Sequence, residues 1–203
     1  MSDFIHQFLS GTTETTVLAL HGTGGNENDL VSLAQTIFPG ANVLSPRGNI
    51  SENGANRFFR RFAEGIFDLE NLREETEKLA NFVIQSSQRY GFAANDVIAL
   101  GYSNGANIAA SVLLSRPEIL RGAILLRAMT PFEPQIYPEL RKKPIFLAAG
   151  LDDSIVENEN ILNLAQIFNS AEADVTLRFS VADHSLRHEE IEAAQQFVAQ
   201  KFA

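Results

Sequence analysis

Short runs of consecutive apolar residues alternate along this chain with longer stretches in which apolar positions recur at helical spacing. The runs predict strands over Thr16 to Leu20, Asn42 to Ser45, Val97 to Leu100, Ala123 to Leu126, Ile145 to Ala149 and Val175 to Phe179. The helical spacing predicts helices over Glu27 to Ile37, Asp68 to Tyr90, Ala106 to Ser115, Glu157 to Ser170 and Glu189 to Phe202. The second helix is the best signalled: Asp68 stands at its cap, Leu72, Leu79, Phe82 and Val83 share a face, and Gly91 follows its end. Strands alternating with helices imply a mostly parallel sheet covered on both faces. Polar connections at Ser45 to Asn56 and Pro131 to Pro144 do not split the chain, and no repeat interrupts it.

Composition narrows what that architecture serves. A chain of 203 residues, 45% apolar, suffices for one substantial core and is short for two, so one domain is expected. It contains no Cys, which removes disulfides, thiolate metal sites and a thiol nucleophile together, and suits a reducing, cytoplasmic setting. The segment Met1 to His6 lacks a basic stretch followed by an apolar one, and no run approaches membrane-spanning length, so neither export nor stable membrane insertion is expected. A net charge of -9 repels nucleic acid at long range.

Chemistry concentrates at the ends of the predicted strands. Gly101-Tyr102-Ser103-Asn104-Gly105 follows Val97 to Leu100 directly, as a strand-turn-helix elbow carrying a nucleophilic serine would. That pentapeptide recurs by chance too readily to stand alone, so its surroundings decide. After the first of these strands comes His21-Gly22-Thr23-Gly24-Gly25, where small residues let backbone N–H groups approach a substrate. The N–H of Thr23 and that of Asn104 are the candidate oxyanion donors. A phosphate loop fits poorly, because Glu27 occupies the third glycine position of the dinucleotide pattern.

After Ile145 to Ala149, Gly150-Leu151-Asp152-Asp153 offers two adjacent carboxylates to orient a catalytic imidazole, and spacing does not choose between them. Asp residues that merely shape a turn are the plain alternative. After Val175 to Phe179, His184 sits in a loop able to reach Ser103, whereas His188 lies in the first turn of the final helix beside Glu189 and Glu190. A metal pair of His184 and His188 would need a further ligand. His6 reads as an exposed residue and His21 as a loop hydrogen-bonding residue. The chemistry implied requires no metal and no organic cofactor.

These motifs, Leu20 to Gly25, Gly101 to Asn107, Gly150-x-x-Asp153-x-x-Val156 and His184 ahead of Glu189-Glu190, resemble the phospholipase/carboxylesterase family of small serine α/β-hydrolases, which includes acyl-protein thioesterases. The resemblance spans nearly the whole chain and implies an α/β-hydrolase fold, and a chain this short is not expected to carry a large lid domain. It also selects Asp153, which lies three residues after the Gly and three before the Val. Arg57-Phe58-Phe59-Arg60-Arg61 followed by Phe67-Asp68 is a further likeness to a branch that favours small esters. Two positions depart from the family pattern: Ser154 stands where Pro is frequent, and Asp183 where Gly commonly precedes the His.

The implied function is a serine carboxylesterase acting on a small-molecule ester, with Ser103, Asp153 and His184 as its triad. A thioesterase or lysophospholipase-type acyl hydrolase is the alternative, and a non-catalytic binding module a more distant one. A dienelactone hydrolase is disfavoured because that group usually employs Cys. Arg57, Arg60 and Arg61, at i, i+3, i+4 spacing, would present guanidinium groups on one side if helical and so accept an anionic substrate. Solvated or carboxylate-paired arginines are the plainer reading. Tyr102, Phe59 and Met129 are expected to wall an open cleft formed by the loops after Ser45 and Leu126, with core packing equally open for Phe59. Related proteins often pair as homodimers.

Overall fold

The computed structural model describes residues 4–202, so Met1, Ser2 and Asp3, part of the segment read for a leader, lie outside the described residues. Seven strands form the main sheet: β1 (His6–Leu9), β2 (Thr16–Leu20), β3 (Asn42–Pro46), β8 (Val97–Tyr102), β9 (Leu120–Leu126), β10 (Pro144–Gly150) and β11 (Asp174–Ser180). Four short strands between β3 and β8 form two hairpins, β4 (Ile50–Glu52) with β5 (Ala55–Arg57) and β6 (Arg61–Ala63) with β7 (Ile66–Phe67). The sheet runs β1-β3-β2-β8-β9-β10-β11, parallel throughout except for β1, which pairs antiparallel to β3 with His6 opposite Pro46. This is the architecture of the α/β-hydrolase fold.

Its central strands are buried on both faces, which is why they read as unbroken apolar runs rather than alternating ones. Side chains still alternate by face. Leu18, Leu20, Ala99, Leu125 and Leu147 join one core, while Val17, Ala19, Ile98, Leu100, Ile124 and Phe146 join the other. The first face is covered by α2 (Leu69–Tyr90), α3 (Asn104–Ser115) and α4 (Asn158–Ser170), the second by α1 (Val31–Ile37) and α5 (His188–Lys201). The predicted face of α2 is the buried one: Leu72 and Leu79 are fully enclosed, each contributing about 1.5–3 kcal/mol of burial. Asp68 caps that helix by accepting from the Asn71 N–H, and Gly91 ends it at φ 78°.

Two departures from the sequence reading have local causes. Helix α1 starts at Val31 rather than Glu27, because Asn26 accepts the Asn28 N–H in an Asx turn and the Asp29 and Val31 N–H groups close short turns onto Asn26 and Asn28. Arg57, Arg60 and Arg61 are not on a helix: Arg57 ends β5, Arg61 begins β6, and Arg60 lies between them. The helical spacing that would gather the three guanidinium groups on one side therefore does not apply.

Candidate active site

The site lies at the C-terminal ends of the central parallel strands, where the chain leaves β8, β10 and β11 in turns. Ser103 separates β8 from α3 with φ 51° and ψ −115°, a strained conformation for a non-glycine residue that costs on the order of 1–3 kcal/mol. Two glycines make the turn possible. A Cβ on Gly101 would lie 2.6 Å from Ala106 Cα, and one on Gly105 only 2.0 Å from the Leu20 carbonyl oxygen. The second approach also shows that the loop after β2 is packed against the elbow.

Ser103 Oγ lies 3.0 Å from His184 Nε2, and His184 Nδ1 lies 2.8 Å from Asp153 Oδ2. Asp153 is almost wholly buried, and its other oxygen accepts the N–H groups of Ile155 at 2.8 Å and Val156 at 3.1 Å. A carboxylate only accepts, so Nδ1 carries the proton toward Asp153 and Nε2 is left to accept from the serine hydroxyl. An imidazole held in this tautomer is arranged to take the Ser103 proton during attack. The neighbouring Asp152 is exposed, and its backbone N–H donates to the Ala182 carbonyl. His188, at the start of α5, is exposed and faces Glu192 at 3.2 Å.

Asn104 opens α3, so its backbone N–H is among the four donors that a helix N-terminus leaves without an intrahelical acceptor. Its side chain is buried, and Oδ1 accepts the Phe58 N–H at 2.7 Å. In the loop after β2, the N–H groups of Gly24 and Gly25 are committed to the carbonyls of Asn56 and Gly22. Thr23 is exposed there, and its hydroxyl accepts from Arg57 Nη1 at 2.6 Å. His21 is buried beneath the loop. Burial holds its imidazole below the ordinary value in spite of the Gly22 carbonyl and the nearby Asp29 and Glu27, which favour the charged form. Neutral His21 donates from Nδ1 to Gly22 and accepts the Gly48 N–H at Nε2, 2.9 Å away.

A cleft of about 320 Å³ opens beside the acid turn, lined by Glu64, Gly65, Ile66, Met129, Ser154, Ile155, Glu157 and Asn160. Met129 lines this cleft. Phe59 does not: it is fully buried, edge-on to Phe67 in the core. Tyr102 is half-buried and donates its hydroxyl to the His184 carbonyl at 2.9 Å, which makes it a support of the histidine loop. Burial raises its phenol above the ordinary value, so the hydroxyl stays a donor.

Each of the three arginines faces a carboxylate. Arg57 is buried 3.3 Å from Glu52, Arg61 is 3.2 Å from the same Glu52, and Arg60 is 3.0 Å from Asp68. Sequence reading missed a fourth arginine. Arg127, the first residue after β9, is fully buried, and its guanidinium reaches Glu190 and the segment around His184. A cation in the apolar stretch Ala123 to Ala128 was the available signal. Among the described residues no group of three or more His, Cys, Asp or Glu is arranged for a metal ion, and no helix is long and apolar enough to cross a membrane.

Known proteins share this arrangement of chain. The phospholipase/carboxylesterase family profile matches residues 9–202. MhqD of Bacillus subtilis (strain 168) is 38% identical over 192 residues, covering 95% of this chain and 96% of that protein. The crystal structure of the Bacillus cereus carboxylesterase superposes with a TM-score of 0.95 at 41% identity, covering 97% of this chain and 93% of the other. A carboxylesterase from Mesorhizobium loti gives 0.89 at 28% identity, with 95% and 92% covered. The fold, the near-complete profile match and these relatives agree: the chain belongs to the phospholipase/carboxylesterase family.

Proposed function

We propose that this protein is a serine carboxylesterase that hydrolyses small, uncharged carboxylic esters through Ser103, His184 and Asp153. The observation that carries the reading is the continuous relay from Ser103 Oγ through His184 to the buried Asp153 carboxylate, with the serine in a strained elbow. In the proposed reaction His184 Nε2 removes the hydroxyl proton as Oγ attacks the ester carbonyl. Asp153 stabilises the imidazolium, and the N–H groups of Thr23 and Asn104 receive the oxyanion. The imidazolium then gives its proton to the departing alkoxide, leaving an acyl-Ser103. Water attacks that ester with His184 again as base, which releases the acid and restores the serine.

Uncharged substrates are favoured because Arg57, Arg60 and Arg61 are already matched with Glu52 and Asp68, while Glu64 and Glu157 line the cleft. The test is p-nitrophenyl ester hydrolysis across acyl lengths, with a matched thioester, by wild type and Ser103→Ala. Loss of at least about 10⁴-fold in kcat for the variant is expected. Retention of most of the activity in pure Ser103→Ala protein would defeat the assignment.

A further inference from the structure

His184 sits in a segment, Val181 to Arg187, that belongs to no helix or strand. A loop placing a general base to within tenths of an ångström needs other restraints, and here they are side chains reaching to its backbone. Arg127 Nε donates to the Asp183 carbonyl at 3.1 Å, Tyr102 Oη to the His184 carbonyl at 2.9 Å, and Arg127 Nη2 to the Ser185 carbonyl at 2.6 Å. Three consecutive carbonyls, centred on the base itself, are thus each held by a donor from β8 or the first residue after β9.

Arg127 is itself over-determined. Its backbone, at φ 57°, donates from N–H to the Ala148 carbonyl of β10. Its guanidinium meets Glu190 in a two-point pair, with Nη1 to Oε1 at 2.6 Å and Nη2 to Oε2 at 2.8 Å, both side chains almost fully buried. Burial opposes the Glu190 charge, but Arg127 and the Arg187 N–H outweigh it and hold the carboxyl below its ordinary value. Glu190 also accepts that Arg187 N–H at 2.8 Å, which ties the end of the loop to the first turn of α5. Arg127 Nε finally lies 3.9 Å from Asp153 Oδ2, so one cation borders both the base's loop and its acid.

We infer that Arg127, anchored by Glu190 and assisted by Tyr102, is the positioning residue that sets His184 between Ser103 and Asp153. A planar fork with five N–H donors suits a site that demands two carbonyls and a carboxylate at once, and a lysine does not reproduce it. The inference rests on the esterase reading for its kinetic consequence, and its structural half is measurable without turnover.

Three variants separate positioning from packing. Arg127→Lys keeps a cation beside Glu190; Arg127→Met with Glu190→Gln leaves no unpaired buried charge; Tyr102→Phe removes only the middle restraint. Each is compared with wild type in thermal midpoint, kcat and KM for a p-nitrophenyl ester, and the downfield proton resonance of the His184–Asp153 hydrogen bond. Both Arg127 variants are expected to fold, to lose about 100-fold in kcat with KM near the wild-type value, and to lose or broaden that resonance. Tyr102→Phe is expected to lose up to about tenfold in kcat. Wild-type kcat and an unchanged resonance in a folded Arg127 variant would overturn the inference, as would a loss of activity that only follows the loss of folded protein. Wild-type protein that fails to react with a fluorophosphonate at Ser103 would instead overturn the esterase reading, and the resonance alone would then decide the role of Arg127.

Discussion

Replacing Asp153 by Asn changes one oxygen for an NH2 group in a site that dictates which way the amide must face. Oδ1 accepts two backbone N–H groups, from Ile155 and Val156, whereas Oδ2 accepts one ring nitrogen. Turning the new NH2 toward the turn would set it against two donors, so the amide oxygen stays there and the NH2 faces His184. Nδ1 must then accept, the ring proton moves to Nε2, and the base presents N–H to a Ser103 hydroxyl it is required to deprotonate. The fold keeps both turn hydrogen bonds, so stability changes little while chemistry fails. A wrong-tautomer defect of this kind costs about 10⁴-fold in kcat, equivalent to roughly 5.5 kcal/mol of barrier. The assay is kcat for p-nitrophenyl acetate hydrolysis by Asp153→Asn protein whose thermal midpoint matches wild type. A folded variant retaining a tenth or more of wild-type kcat would refute the reasoning.

Other consequences concern stability and selectivity. Burial depresses the His21 pKa, so the native state binds fewer protons than the unfolded chain once pH falls below the unfolded value near 6.5. Stability is thus fully present above that pH and drains as pH falls toward the depressed native value; thermal midpoints measured from pH 8 to pH 5 should fall less in His21→Gln than in wild type, and parallel curves would count against the linkage. Arg60→Ala removes the most exposed of the three clustered guanidinium groups, already paired with Asp68. It should change kcat/KM for neutral and carboxylate-bearing esters by the same small factor, and a selective loss on the anionic ester would revive an anion-binding role.

What the chain disclosed about itself followed burial. The central strands were legible because both faces are enclosed, and Val97 to Leu100 or Ile145 to Ala149 therefore had to be apolar throughout. Strand β1 left no such trace, since all four of its residues are only partly buried at an edge. The β4–β5 hairpin turns on Asn53-Gly54, with φ of 51° and 83°, a two-residue turn signal that lay in the sequence without strong alternation beside it. Spacing misled at Arg57, Arg60 and Arg61, because i, i+3, i+4 intervals describe a helix only where a helix exists. Ser103 and His184 could be named because each follows a strand in a short motif, whereas the motif left Asp152 and Asp153 level and the family resemblance chose between them. Arg127 could not be named, because its acceptors at Asp183, Ser185 and Glu190 lie 56, 58 and 63 residues away and two of them are main-chain groups.

That last detail bears on how freely the histidine loop can change. The restraints that Arg127 and Tyr102 place on residues 183 to 185 close on carbonyl oxygens, which every amino acid possesses, while the Asp183 carboxylate adds one that depends on the loop's own side chain by accepting the Ser185 N–H at 2.8 Å. Substitutions on either side of His184 leave those main-chain acceptors in place. The main-chain acceptors thus survive changes of side chain beside His184, whereas their donor does not survive a change at Arg127, which is 56 residues from Asp183 in sequence and yet 3.9 Å from the Asp153 carboxylate.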